Sequence, residues 1–154
     1  MMFTPSRDEV RQFFCATWRN AKAHQPLSDI EKMILAVILE HPEYQSILEQ
    51  EGRALVRDYT PEEGQTNPFL HMSMHLSLDE QISIDQPVGI KAVYTQMCER
   101  FGDAHKAQHE MMDCLAEMIW HAQRYATLPD PALYFACLSG KLQQEVMTRP
   151  LPAD

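Results

Sequence analysis

The sequence predicts an all-α protein, a compact helical bundle of about five to seven helices. Only 5 of the 154 residues are glycine, and β-branched runs are scarce, which disfavours a β-sheet protein. Ser6 with Glu9 and Ser28 with Glu31 have the spacing of a capping box, in which two side chains satisfy backbone N–H groups of a first helical turn. Prolines at further helix starts support the same class of fold.

Capping residues and prolines give the order of the predicted elements. Asn67 precedes Pro68, and a proline at the first helical position loses no hydrogen bond, because its N–H would be unbonded there anyway. Gly102 suits the position after a helix end, and Asp103 suits the cap of the next helix. The predicted helices cover residues 7–23, 29–41, 43–57, 68–82, 87 to about 102, 104–125 and 131 to about 146, with a polar loop at 58–66 and a turn at 83–86.

Length and charge limit the class of protein. A chain of 154 residues has the usual size of one domain, and we expect a single helical domain over 1–147 followed by a disordered tail at 148–154. The formal net charge of −9 disfavours nucleic acid and anionic membranes as partners, because an acidic surface repels phosphate groups. The sequence has no apolar signal core and no run long enough to cross a bilayer, so we expect a cytoplasmic protein.

The cysteines indicate no disulfide framework. Cys15, Cys98, Cys114 and Cys137 are widely spaced, and none forms a Cys-x-x-Cys pair. We therefore predict four free thiols in a reducing compartment.

The histidines are the residues that most resemble a site of chemistry. Two His-x3-His pairs occur, His71 with His75 and His105 with His109, where chance placement of seven histidines would give about 0.3 pairs. A spacing of four puts two imidazoles one turn apart on one helix face, where they can share a metal ion. The sequence therefore predicts a metal site formed by His71, His75, His105 and His109.

An aspartate follows each pair after four more residues. Asp79 and Asp113 each lie about 12 Å along the helix axis from the first histidine of their row, at 1.5 Å per residue. One ion therefore cannot bind all three residues of a row. Each aspartate is predicted to be either a ligand of a second ion or an acceptor that orients the nearer histidine.

Burial and topology are consistent with a shared site but leave an alternative open. Apolar residues surround most of the 68–82 helix, so His71 and His75 should point inward, whereas His109 lies near the edge of its apolar arc. The alternative is that these are core histidines bound to carboxylates or carbonyls. His24 and His41 lie near predicted helix ends and are expected at the surface or in caps, and His121 lies on the far face of its helix.

Three segments resemble a known bacterial family. These are Asn67-Pro68-Phe69-Leu70-His71-Met72-Ser73-Met74-His75, Asp85-Gln86-Pro87-Val88-Gly89-Ile90 and His105-Lys106-Ala107-Gln108-His109. They are similar to the domain-of-unknown-function family 1841 over about residues 28–125. The resemblance implies a short bacterial cytosolic protein and supplies no activity.

Two functions follow as hypotheses, and the sequence leaves open whether either is enzymatic. The first is a helical-bundle protein that binds a transition metal, where four imidazoles favour Fe, Zn, Mn or Ni over Mg or Ca. The second is a non-enzymatic helical module that dimerises or binds a protein partner, with structural histidines in its core.

Overall fold

The computed structural model describes residues 7–57 and 67–147, and all the regular elements in these two stretches are helical. The predicted all-α class is confirmed. The elements are α1 (Arg7–Lys22), α2 (Asp29–Leu39), a 3₁₀ turn (Pro42–Tyr44), α3 (Gln45–Glu49), α4 (Glu51–Val56), α5 (Pro68–Ile84), α6 (Ile90–Phe101), α7 (Ala104–Tyr125) and α8 (Pro131–Met147). None of the described helices is long and apolar enough to cross a membrane.

Most helix ends lie where local signals place them. Ser28 and Glu31 form the complete capping box at the start of α2. Gly102 ends α6 in the left-handed conformation (φ 76°), and the Asp103 side chain accepts the Lys106 N–H at the start of α7. The first capping box lies partly outside the described residues, because Ser6 is not among them.

The predicted 43–57 helix is interrupted. Its region forms the 3₁₀ turn, α3 and α4, and Gln50 leaves helical geometry between the last two with ψ 60°. This break raises the number of α-helices in the described stretches to eight.

The predicted helix start at Pro87 is wrong, since α6 begins at Ile90. Asp85 (φ 52°) and Gly89 (φ 101°) both adopt left-handed backbone, with a cis Gln86–Pro87 peptide between them. The Asp85 carboxylate accepts the N–H groups of Gly89 at 3.1 Å and Lys91 at 3.0 Å. A loop held by this carboxylate therefore caps α6, and the segment Asp85 to Gly89 is an element of its own.

The chain divides into two compact units, Met1–Asp79 and Glu80–Asp154, with the boundary inside α5. The predicted single domain over 1–147 stays a prediction, and the predicted tail at 148–154 lies outside the described residues.

The N-terminal unit has its core between α1, α2, α3, α4 and the first turns of α5. Its buried side chains include Phe14, Cys15, Ile34, Val37, Ile38, Leu48, Phe69 and Met72. Arg11 is buried in α1 and donates to the carbonyls of Ala54 at 2.8 Å and Arg57 at 2.6 Å, at the end of α4. Such charge-assisted bonds to terminal carbonyls hold the last turn of that helix.

In the C-terminal unit, α7 packs against α6 and α8. Its buried side chains include Ile90, Met97, Met111, Leu115, Tyr134 and Leu138. Lys141 of α8 donates to Glu110 at 2.8 Å and Asp113 at 3.0 Å, both on α7. The Tyr134 hydroxyl donates to Gln81 at the end of α5.

The prediction of four free thiols is wrong for two of them. Cys114 of α7 and Cys137 of α8 form a disulfide, with Cα atoms 5.6 Å apart, whereas Cys15 and Cys98 are free. The pairing joins residues 23 apart in sequence, so it depends on how two helices pack and leaves no local spacing signal. Burial raises the pKa of the Cys15 thiol to about 11.

Candidate metal centre

Helix α5 carries the first predicted histidine pair. Phe69, Met72, His75 and Leu78 recur every three residues and form its buried stripe. His75 therefore replaces an apolar side chain in a core position and is fully buried, as the sequence predicts. His71 lies beside this stripe and is half-buried, with its ring centroid 5.0 Å from that of His75.

His41 joins this pair, although the sequence placed it at the surface or in a cap. The surface position is wrong, since His41 is 2% exposed, whereas a capping contact is found, because its ring bonds the Val37 carbonyl in the last turn of α2. Its ring centroid lies 4.7 Å from that of His75 and 5.1 Å from that of His71, and the ring stacks on Tyr44 at 5.5 Å. Burial raises the pKa of the Tyr44 phenol, and the Glu43 carboxylate adds to the shift.

A signal for His41 exists in the sequence. Ile34, Val37 and Ile38 form the buried face of α2, and His41 continues their spacing of three and four residues just beyond the helix end. A side chain that continues a buried stripe past the last turn can still point inward. A surface or capping position was expected for His41 instead, because it lies near a helix end.

A backbone hydrogen bond orients the His41 ring and sets which of its nitrogens is the donor. Its Nδ1 lies 2.7 Å from the Val37 carbonyl oxygen. Since a carbonyl oxygen can only accept, Nδ1 carries the proton and donates it, and Nε2 of the neutral ring keeps its lone pair. Metal-binding histidines are oriented in this way by a backbone acceptor on the other ring nitrogen.

Helix α7 carries the second predicted pair near its N-terminus. The Asp103 cap places His105 in the first helical turn, and the ring centroids of His105 and His109 are 4.3 Å apart. Both residues are half-buried, although the place of His109 near the edge of its apolar arc suggested that it would be the more exposed of the two. The Nε2 atom of His109 is buried, as are those of His41 and His75.

One cluster of histidines lies in each unit. In the N-terminal unit the ring centroids of His41, His71 and His75 lie 4.7 to 5.1 Å apart. In the C-terminal unit His105 and His109 form a pair. The ligand set predicted from the sequence stays a prediction.

A protein-family model matches most of this chain. The model of a domain of unknown function, DUF1841, matches residues 6–140, which contain both clusters. This chain belongs to the DUF1841 family. No curated protein and no solved structure matches it. The predicted resemblance is confirmed, over a longer stretch than the motifs indicated.

In this DUF1841 domain the two predicted aspartates follow the histidine pairs on α5 and α7. Asp113 is exposed, with 70% of its side chain accessible, and accepts the Lys141 bond described above. Asp79 is half-buried near the middle of α5. The predicted roles of both, as second-ion ligands or as orienting acceptors, stay predictions.

Proposed function

We propose that this DUF1841 domain binds one transition metal ion through His41, His75, His105 and His109. The observation that carries the proposal is the pairing of imidazoles within each unit: the ring centroids of His41 and His75 lie 4.7 Å apart, and those of His105 and His109 lie 4.3 Å apart. Neighbouring ligands of one ion lie about 3–3.5 Å apart when metal–nitrogen bonds are about 2.0–2.1 Å, so a small movement of the side chains would let the two rings of each pair bind the same ion.

The chemistry of the donors supports the same ion class. The proposed ligands are four imidazoles, with neither thiolate nor carboxylate among them. Nitrogen donors of this kind suit Zn, Ni, Fe or Mn better than Mg or Ca, which prefer oxygen. Tetrahedral Zn would be filled by the four histidines, whereas an octahedral ion would keep positions for water or O₂. Catalysis by this site therefore requires an octahedral ion or the release of one histidine.

The experiment is elemental analysis of purified, untagged protein after exposure to each metal and gel filtration. We expect about one transition-metal ion per chain in the wild type. His75→Ala should lower the occupancy at least tenfold at limiting metal, because it removes a ligand from a buried position. A wild type that folds fully and retains none of the four metals would contradict the proposal.

The matched control is His24→Asn. His24 is an exposed histidine in left-handed backbone (φ 57°), a conformation that asparagine tolerates. Its replacement removes a surface imidazole without touching the proposed site, so the occupancy should equal that of the wild type. Equal losses in His24→Asn and His75→Ala would mean nonspecific binding by surface histidines.

A second function is a non-enzymatic module with structural histidines. The observation in its favour is that His41 already bonds a backbone carbonyl and stacks on Tyr44, as a purely structural core residue would. In that case His75→Ala should lower stability by about 1–3 kcal/mol whether or not metal is present.

Cytoplasmic location and bacterial origin belong to the proposal as expectations. The Cys114–Cys137 disulfide is the observation against a reducing compartment, since structural disulfides persist mainly in oxidising ones. Mass spectrometry of non-reduced protein taken directly from cells would show whether this disulfide forms there.

A further inference from the structure

The second half of α7 presents a mostly apolar face to solvent. Ala116, Ile119, Trp120 and Gln123 are all exposed, and Trp120 is 59% exposed. Their spacing of three and four residues places them along one side of the helix. We call these four residues the outer face of α7.

This face is separate from the one that α7 contributes to the core. Cys114, Leu115 and Ala122 are buried, so the helix already has an inner apolar side. The apolar exposure continues past the helix end at Leu128, which is 87% exposed. An apolar stripe that includes a tryptophan on an otherwise acidic protein is typical of a contact surface.

Two opposite charges flank the outer face in a symmetric arrangement. Glu117 and Arg124 are both exposed and lie seven residues apart, so they occupy the same flank of the helix. The midpoint between them falls between Trp120 and His121. When two copies of this helix pack antiparallel about that midpoint, each Glu117 lies beside the partner's Arg124.

We propose that the outer face of α7 binds the same face of a second copy of this chain, in an antiparallel two-fold contact. A two-fold contact requires a surface complementary to itself, and the Glu117/Arg124 arrangement satisfies that requirement. The chain has a net charge of −9, so two copies repel each other at long range. Two opposite-charge pairs at the contact offset part of that repulsion and fix the antiparallel register.

The test is a charge exchange followed by analytical ultracentrifugation over a concentration series. The wild type should dimerise reversibly. Glu117→Arg and Arg124→Glu should each raise the dimer dissociation constant by about tenfold or more, because each places like charges together twice. An equimolar mixture of the two variants should form a heterodimer of wild-type strength, and the double exchange in one chain should restore the homodimer.

Controls separate the contact from folding. Glu99→Arg changes the charge equally at an exposed position of α6 and should leave dimerisation unchanged. Glu117 lies 3.3 Å from the Cys137 sulfur, so circular dichroism should confirm that each variant is folded. Trp120→Glu leaves Glu117 and Arg124 unchanged but removes the tryptophan from the outer face, so it should abolish dimerisation.

Three results would overturn the proposal. They are a wild type that stays monomeric at the highest concentration, single variants that dimerise like the wild type, and folded single variants whose mixture stays monomeric. Because none of the proposed metal ligands lies in the outer face, failure here leaves the metal site untouched, and loss of metal should leave the dimer intact.

Discussion

At the scale of single residues, His41 and His71 differ in how burial and hydrogen bonding prepare them to bind a metal ion. Both contact the His75 ring at centroid distances of 5.0 Å or less. His41 is 2% exposed and its Nδ1 is held by a backbone carbonyl, whereas His71 is half-buried. A ring fixed in one orientation loses less freedom on binding metal, so His41 is the better ligand of the two.

We therefore expect His41→Ala and His71→Ala to differ in how much metal they bind. His41→Ala should lower metal occupancy at least tenfold at limiting metal, and His71→Ala should lower it by less than about threefold. Isothermal titration with Zn²⁺ on the chelator-treated variants would measure both. Normal binding by His41→Ala together with loss in His71→Ala would favour the ligand set predicted from the sequence instead.

At the scale of elements, the loop before α6 depends on one carboxylate. Asp85 accepts two backbone N–H groups that the first turn of α6 would otherwise leave unsatisfied. It also occupies left-handed backbone at φ 52°, which aspartate and asparagine adopt more readily than most residues. Asp85 thus caps α6 with its side chain and also tolerates the left-handed backbone that the turn requires.

Asp85→Ala should lower the free energy of unfolding by about 1–2 kcal/mol, the usual cost of losing a helix cap. Asp85→Asn keeps an acceptor oxygen and tolerates the left-handed conformation, so it should lose less than half of that. Urea denaturation followed by circular dichroism would compare the two with the wild type. Equal losses would show that the charge, and not the geometry of the cap, stabilises α6.

At the scale of the whole molecule, a metal bound only by the folded chain must stabilise it. The proposed site draws its ligands from parts of the chain far apart in sequence, so the unfolded chain does not present the site. Linkage then adds about 2.7 kcal/mol to the free energy of unfolding when the free metal is at one hundred times its dissociation constant.

The prediction is measured by thermal melts of chelator-treated protein with and without the metal that it binds. His75→Ala should lower the melting temperature of the metal-loaded protein more than that of the metal-free protein. A uniform decrease in both would assign His75 to the hydrogen bonding of the core.

The sequence by itself determined the helical class and most helix ends. Ser28, Gly102 and Asp103 act on backbone groups within four residues of themselves, so their effect can be predicted without tertiary structure. The same holds for the two His-x3-His pairs, since the period of the helix alone puts their members together.

Tertiary structure decided what depends on contacts between elements. His41 approaches His75 because the end of α2 packs beside α5, and the Cys114–Cys137 disulfide forms because α7 and α8 pack together. In each case the deciding contact joins groups whose separation in the sequence carries no information about their distance in space.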